Sequence, residues 1–240
     1  MPYGPLSAES QSPAVETFLL GQIPYLRCLE FQQRLLDQVS NRADGQIVVL
    51  MCEHPPVITI GRGGRPSQVA SGNRLLRSGQ IETHWTNRGG GCLVHCPGQL
   101  AIYPILPLCW HDFSLGEYLE RFQAALAETL TELGVQVQPQ PGRYGVWGRT
   151  GQIAALGVAV RNWVTWHGAY LNVSPALGLF RLVESDPLSH MPMGSIAAER
   201  CGVVRMATVR AVLVRRLTEA FGCDRYHLYT GHPWLKSQAE

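Results

Sequence analysis

The segment RGGGCLVHCPGQLAIYPIL, residues 88–106, carries the clearest local pattern of the chain. Three glycines in a row after Arg88 allow a backbone to pass close to a ligand or to a neighbouring strand. The apolar runs Cys92–Val94 and Leu100–Ile105 predict two strands within the segment. It has neither the spacing of a phosphate-binding loop nor that of a dinucleotide-binding turn. The pattern alone leaves two interpretations, a ligand-contacting loop and a glycine-rich hairpin in which His95 is hydrogen-bonded.

Helical and strand-like periodicities alternate irregularly along the rest of the chain. Apolar residues at helical spacing predict helices over Tyr25–Val39, Leu115–Leu133 (with Ser114 as its N-cap) and Met206–Phe221. Further strand-like runs are Gln46–Met51, Val57–Ile60, Gln152–Val160 and Trp163–Val173. A tight turn at Arg161-Asn162 separates the last two runs and predicts a β-hairpin. Strands and helices mixed without strict βαβ alternation favour an α+β domain, with a mixed β-sheet backed by helices.

The composition is that of a folded globular chain. Its 240 residues are 45% apolar and carry a formal net charge of +2, so neither general disorder nor a nucleic-acid-binding basic surface is expected. No apolar run reaches the length of about 18 residues that a membrane span requires. We expect a flexible leader over 1–15, one folded domain over 16–231 and a loose tail over 232–240.

Seven cysteines lie at positions 28, 52, 92, 96, 109, 201 and 223. Their number is odd, and neither a CxxC pair nor a paired Cys/His spacing of a zinc site occurs. The N-terminus lacks the basic stretch and apolar core of a secretory signal. These features predict reduced thiols in a cytoplasmic protein and no metal site.

Two further segments carry recognisable patterns. EHPPVITIGR, residues 53–62, has two prolines that fix a bend, and His54 by itself is typical of a hydrogen-bonded structural histidine. QIAALGVAVRNWVTWHGAYLNV, residues 152–173, places small residues along a strand. Such residues indicate that something packs closely on that face.

In this order, the three segments resemble the octanoyltransferases of lipoate biosynthesis, within the superfamily of biotin and lipoate protein ligases. That family has motifs close to EHPPVYTLGR, RGGxxTYHGPGQLxxYPIL and KIAAIGVxVxxxVTxHGxALNV, and the resemblance runs from about residue 25 to residue 222. It implies a ligase/transferase-like catalytic domain with a mixed sheet and a deep acyl pocket. It also implies transfer of octanoyl from acyl carrier protein to a lysine of a lipoyl-accepting protein, without metal, ATP or another cofactor.

The resemblance further implies which residues line the acyl pocket. They come from the RGG…H segment, the small-residue strand and the HGxA segment. In this sequence they are Arg88, Gly89, Gly90, Gly91, Cys92, Leu93, Val94, His95, Ala155, Leu156, Gly157, Gly168, Ala169 and Tyr170.

Both catalytic positions of the family differ in this chain. In the family, a cysteine attacks the carrier thioester, and a lysine favours its thiolate form. The lysine position is Gln152 here, and an ungapped count places the cysteine position on Asp186, after Ser185. Glutamine carries no charge, so it cannot stabilise a thiolate as an ammonium group does.

Four side chains are candidate replacements for the nucleophile. Ser185 requires a general base, and Asp186 would form a mixed anhydride that is higher in energy than a thioester. Cys96 lies beside His95, but adjacent residues of an extended strand point to opposite faces, so the alternative is that its thiol only fills space. Cys201 stays open as a relocated nucleophile.

Three functions are consistent with this pattern. The first is an octanoyltransferase with substituted catalytic residues. The second is a non-catalytic paralogue, a pseudoenzyme that binds an acyl chain, acyl carrier protein or a lipoyl domain. The third is a relative of the acyl-adenylate ligases, against which the uncharged Gln152 argues. Neither nucleic acid nor a membrane span is expected in any of them.

Overall fold

A seven-stranded mixed sheet organises the computed structural model, which describes residues 13–42, 44–138, 140, 142–184 and 192–236. The strands are β1 (Ala14–Gln22), β2 (Ile47–Glu53), β3 (Val57–Ile60), β4 (Glu82–Trp85), β5 (Cys92–His95), β6 (Gln99–Ile105), β7 (Gly145–Gly148), β8 (Gly151–Arg161), β9 (Val164–Asn172) and β10 (Arg225–Thr230). The helices are α1 (Tyr25–Ser40), α2 (Arg74–Arg77), α3 (Leu115–Glu132), α4 (Ile196–Arg200), α5 (Met206–Ala220) and α6 (Pro233–Lys236).

The large sheet has the strand order β10-β1-β2-β6-β9-β8-β7. Strand β1 is parallel to both of its neighbours, while the strands from β2 to β7 pair antiparallel. A second sheet has the order β4-β3-β5. Its strands β3 and β5 come from the motif segments at 53–62 and 88–106, and β4 comes from the stretch between them. The predicted α+β architecture, a mixed sheet backed by helices, is therefore confirmed.

Helices cover both faces of the large sheet. Successive residues of a strand point to opposite faces, and β2 divides its side chains between two cores in this way. Ile47 and Val49 pack in the core with residues of α3 and α5, whereas Val48 and Leu50 pack in the core with residues of α1. Because both faces are covered, β2 is apolar along most of its length instead of alternating with polar residues.

The predicted helices and the hairpin are present. Ser114 caps α3 in a reciprocal capping box with Glu117. Strands β8 and β9 form the predicted hairpin, and its turn lies at Asn162 and Trp163, which both have positive φ angles.

Four strands escape the sequence pattern. Strands β4 and β10 lie at sheet edges with mostly exposed side chains, and β7 is four residues long and bounded by glycines. Strand β1 begins at Ala14, so it includes the last two residues of the predicted leader. The predicted tail from 232 contains α6. Among the residues that the structure describes, no helix has both the length and the apolar character of a membrane span.

Candidate functional site

The glycine-rich segment lies across the edge of β8 and beside β3. The Gly89 amide donates to the Val158 carbonyl over 3.0 Å, and a Cβ at Gly157 would lie only 2.7 Å from the Gly89 carbonyl oxygen. Gly63 donates to the Gly90 carbonyl over 3.0 Å. Glycine is therefore required at position 157 of β8, where any larger residue would push the segment away from the strand.

Arg88 is buried at the start of this segment and binds Thr59 of β3. Its Nε and Nη2 donate to the Thr59 hydroxyl over 3.1 and 2.7 Å, and Nη2 also donates to the Thr59 carbonyl over 2.8 Å. Nη1 donates to the Gly89 carbonyl over 3.0 Å. An arginine has five N–H protons, so these four bonds to described residues leave one Nη1 proton for a further acceptor.

The Arg88 guanidinium is held among glycines and neutral oxygens. A Cβ at Gly61 would lie 2.7 Å from Nη1, and those at Gly157 and Gly90 would lie 3.6 and 3.7 Å away. The side chain is fully buried, and the acceptors of its four bonds are all uncharged oxygens. Since arginine keeps its charge in proteins, this site presents a buried positive charge that favours an anionic or strongly polarised oxygen.

Thr59 connects Arg88 to His95 in a buried hydrogen-bond chain. His95 Nδ1 lies 2.9 Å from the Gln99 amide oxygen, which can only accept, so Nδ1 carries the proton. Nε2 then accepts from the Thr59 hydroxyl over 2.7 Å. Gln99 Nε2 donates to Asn172 Oδ1 over 3.0 Å, and so continues the chain to β9. Burial lowers the pKa of His95 well below its usual value, which keeps the ring neutral.

A cavity of about 720 Å³ opens beside this network. This volume is within the range of small-molecule sites, about 300–1,000 Å³. Its lining combines the glycine-rich segment with β8 and also includes Arg65, Gln68, Tyr144 and Glu184. The lining therefore combines the positive Arg88 with the apolar side chains of Leu93, Ala155 and Leu156.

The predicted pocket residues divide into two groups. Those that line the cavity are Arg88, Gly90, Gly91, Leu93, Ala155 and Leu156. Gly89 and Gly157 instead hold the segment against β8, while Cys92, Val94 and His95 are buried in β5. Gly168, Ala169 and Tyr170 are buried in β9, where a Cβ at Gly168 would lie 2.0 Å from the Ile102 carbonyl oxygen. Substrate contact by any of these residues stays a prediction.

The position of the family lysine lies at the cavity. Gln152 lines it, and its Nε2 donates to the Ala154 carbonyl over 3.3 Å. Ser185 and Asp186, the predicted serine and aspartate candidates, lie outside the described residues. The described residues that precede and follow that stretch are both near the site, since Glu184 lines the cavity and the Pro192 carbonyl accepts from the Gln152 amide over 2.9 Å.

The cysteine candidates lie in environments that differ from that of an activated thiol. Cys96 is 1% exposed and packs with Ile58 and Phe180, and burial raises its pKa to about 11. Its neighbour His95 bonds Thr59 and Gln99 instead. Cys201 is exposed at the C-terminus of α4, and it is not among the residues that line the cavity. This environment favours the interpretation that Cys96 fills space.

Thr59 and His167 are site residues that the sequence reasoning missed. The signal for Thr59 is a single hydroxyl within the apolar run of β3. His167 is fully buried with a φ of 55°, and among the residues that the structure describes neither of its ring nitrogens has a hydrogen-bond partner. Burial and the charge of Arg88 lower its pKa to about 3. Buried polar atoms without a partner lower stability, and they occur chiefly at functional sites.

The architecture places the chain in the class of lipoate-protein ligase folds. A bipartite lipoate protein ligase from Thermoplasma acidophilum matches it with a TM-score of 0.73 over 94% of this chain and 91% of that chain. The two share 17% sequence identity, so this likeness concerns the fold alone.

Sequence comparison identifies the family. The model of the lipoyl protein ligase A/B catalytic domain matches residues 24–218, and the chain belongs to this family. An octanoyltransferase of Gloeobacter violaceus is 37% identical over 202 residues, which cover 84% of this chain and 88% of the relative. One of Geotalea uraniireducens is 38% identical over 192 residues, which cover 80% and 86%. The chain is therefore an octanoyltransferase-like protein, as its three motifs predicted.

Proposed function

We propose that this protein transfers an octanoyl-type acyl group from acyl carrier protein to a lysine of a lipoyl-accepting protein. One observation carries the proposal: the glycine-rich segment and the QIAALGV strand together line a single cavity. Arg88 and Gly90 come from the first, and Gln152, Ala155 and Leu156 come from the second. All seven cysteines are free thiols, which is consistent with a reducing cytoplasm as the place of the reaction.

The proposed chemistry is aminolysis of a thioester. The lysine nitrogen attacks the acyl carbonyl carbon, so a C–N bond forms and the C–S bond to the carrier breaks. The nitrogen loses a proton, and the thiolate of the carrier takes one up. Arg88 donates a hydrogen bond from its remaining Nη1 N–H to the carbonyl oxygen as that oxygen becomes negative, and its charge stabilises the oxygen. Preorganised donors at such a position lower the barrier.

In this proposal no acyl-enzyme forms, and the protein accelerates the reaction by holding the acyl thioester and the lysine amine next to each other. Holding a thioester next to an amine can contribute about 7–11 kcal/mol when the geometry is well oriented. Gln152 has no charge with which to activate a thiol, and burial raises the pKa of the Cys96 thiol to about 11. Direct transfer from carrier to lysine therefore needs neither residue. The covalent alternative for the same overall reaction is an acyl-enzyme intermediate on Ser185 or Asp186.

A second candidate function follows from those same two observations. A protein without an activated nucleophile could bind the acylated carrier or the lipoyl domain without turnover. In that case the cavity would hold the acyl chain, and the substitutions at both catalytic positions would have no kinetic consequence.

Intact mass spectrometry separates these functions. The purified protein is mixed with octanoyl-acyl carrier protein and a lipoyl domain, and the octanoyl mass is followed on each. We expect the mass on the lipoyl domain, and we expect Ala155→Phe, which fills the cavity, to abolish it. Ala124→Phe on the exposed face of α3 is the size-matched control. Binding of the carrier without any transfer would support the second function and contradict the first.

Restoring the family residues provides a positive control for the assay. The double variant Gln152→Lys/Asp186→Cys is expected to accumulate an octanoyl thioester on the new cysteine. Wild type is expected to transfer octanoyl to the lipoyl domain without any octanoyl mass on its own chain. If the double variant is active while wild type is inert under the same conditions, the proposed direct transfer is wrong.

A further inference from the structure

A cluster of three metal-binding side chains lies outside the cavity. Cys28 is on α1, while Cys52 and His54 are at the end of β2 and just beyond it. All three are buried, and none of them lines the cavity described above. The positions 28, 52 and 54 match no local zinc motif, which is why the sequence predicted no metal site.

The donor atoms already have most of the spacing of a tetrahedral zinc site. Cys28 Sγ and Cys52 Sγ are 3.9 Å apart, and Cys52 Sγ and His54 Nε2 are 3.7 Å apart. Zinc bonds of about 2.3 Å to sulfur and 2.0 Å to nitrogen imply edges of about 3.8 and 3.5 Å. The three atoms lie within 4.8 Å of one another, so a shift of the Cys28 thiol of about 1 Å closes the third edge.

His54 is oriented as a ligand by its backbone contact. Its Nδ1 lies 2.7 Å from the Ile23 carbonyl oxygen, which can only accept, so Nδ1 carries the proton and Nε2 is the acceptor. Without a metal, Nε2 accepts from the Tyr103 hydroxyl, and Cys52 Sγ lies 3.7 Å away, so a bound ion would take this lone pair in place of the hydroxyl. A histidine that ligates a metal commonly donates its other ring N–H to a backbone carbonyl in this way. The Tyr103 hydroxyl, 2.7 Å from the same Nε2, is the nearest further oxygen donor.

The surroundings fit a neutral metal site. Cys28 and Cys52 belong to an apolar core with Ile23, Phe31 and Leu50, where an unbalanced charge would be unfavourable. A divalent ion with two thiolates and one neutral imidazole has a net charge of zero. Gln32 Nε2 also contacts Cys28 Sγ over 3.8 Å, which places an N–H donor beside one sulfur.

We propose that Cys28, Cys52 and His54 bind one zinc ion that fixes α1 against the end of β2. On binding, each thiol releases its proton to solvent and forms a Zn–S bond, while Nε2 of His54 forms a Zn–N bond. The ion is structural: it bridges α1 and the end of β2, and it takes no part in acyl transfer.

Metal binding is tested first on the wild-type chain. The protein is freed of metal with a chelator, equilibrated with buffered zinc and analysed for bound metal. We expect one zinc per chain, and cobalt in its place is expected to give the thiolate-to-metal charge-transfer band of a tetrahedral site. A chain that retains no zinc, or a cobalt complex without that band, would overturn the proposal.

Single substitutions then assign the ligands. Cys28→Ser, Cys52→Ser and His54→Asn are each expected to lower zinc affinity at least tenfold, the size of effect that even supporting residues of a zinc site produce. Cys223→Ser is the matched control, because Cys223 is also buried but packs in the core on the other face of the sheet. Zinc should raise the melting temperature of wild type and of this control only. Equal affinity in all four variants would refute the assignment.

Alkylation mapping covers the case in which a ligand variant does not fold. Wild type is treated with iodoacetamide in mild urea, with zinc or with chelator, and the modified cysteines are identified by mass spectrometry. Zinc is expected to protect Cys28 and Cys52, whereas the exposed Cys109 and Cys201 react in both conditions. Protection that is independent of zinc, or a mass 2 Da lower with Cys28 joined to Cys52, would show a disulfide or simple burial instead.

Discussion

Replacing the Thr59 hydroxyl tests whether the buried chain from Arg88 to His95 stabilises the fold. Thr59→Val keeps the shape of the side chain and removes one oxygen. That oxygen accepts two bonds from Arg88 and donates one to His95. Arg88 would keep only its bonds to the Thr59 and Gly89 carbonyls, and Nε2 of His95 would lose its donor.

The expected loss follows from these contacts. A hydrogen bond to a charged group contributes about 1.5–3 kcal/mol, and a buried acceptor left without a donor costs about 1–3 kcal/mol. Thr59→Val should therefore lower the free energy of unfolding by about 4 kcal/mol. For a chain of this length, that corresponds to a fall in melting temperature of about 10 °C. Urea unfolding followed by tryptophan fluorescence and thermal melting measure the two quantities.

Two controls separate the hydroxyl from other effects of the substitution. Thr59→Ser keeps the oxygen and should lose about 1 kcal/mol, the effect of one buried methyl group. Thr17→Val removes a hydroxyl that is also buried in a strand but has no hydrogen-bond partner among the described residues, so it should raise the free energy of unfolding by about 1–3 kcal/mol. The reasoning is refuted if Thr59→Val costs no more than Thr17→Val, or if Thr59→Ser costs as much as Thr59→Val.

Three further perturbations have expected outcomes. Gly168→Ala should lower the free energy of unfolding in urea by about 3 kcal/mol, since its Cβ would lie 2.0 Å from the Ile102 carbonyl oxygen. Gly178→Ala is the control, because open space surrounds it, and it should change stability by less than about 0.5 kcal/mol. Equal effects of the two substitutions would contradict this prediction. Burial lowers the pKa of His167 to about 3, so the unfolded state binds more protons between that pH and about 6.5, and stability should fall as pH drops through this window. Asparagine tolerates a positive φ, so His167→Asn should fold and should remove about 3 kcal/mol of the acid-induced loss of unfolding free energy at pH 4.5. Unfolding curves of the variant that keep the wild-type pH dependence would contradict this prediction. Ser114→Ala removes the cap of α3 and should lower the free energy of unfolding by about 1 kcal/mol, and a change below about 0.3 kcal/mol would show that the capping box is energetically unimportant.

Local patterns allowed much of the secondary structure to be predicted. The three long helices, the β8–β9 hairpin and the strand Val57–Ile60 follow from apolar periodicity, a capping serine and a tight turn. Two of the strands that were not predicted, β4 and β10, have mostly exposed side chains and so carry no apolar run. Strand β10 is exposed along its whole length. Its side chains therefore show no buried face from which pairing with the sheet could be predicted. The order of the three motifs was also sufficient to predict the family.

The sequence by itself determined which residue types were available, and the tertiary structure decided which of them meet. Arg88 and Thr59 are 29 positions apart, and only the pairing of β3 with β5 and the crossing of the glycine-rich segment over β8 bring them together. Cys28 and Cys52 are 24 positions apart and meet because α1 packs on the face of β2 that Cys52 occupies. Hydrophobic periodicity records which face of an element is buried, but a polar contact between distant elements depends on register and crossing geometry, which no local pattern encodes.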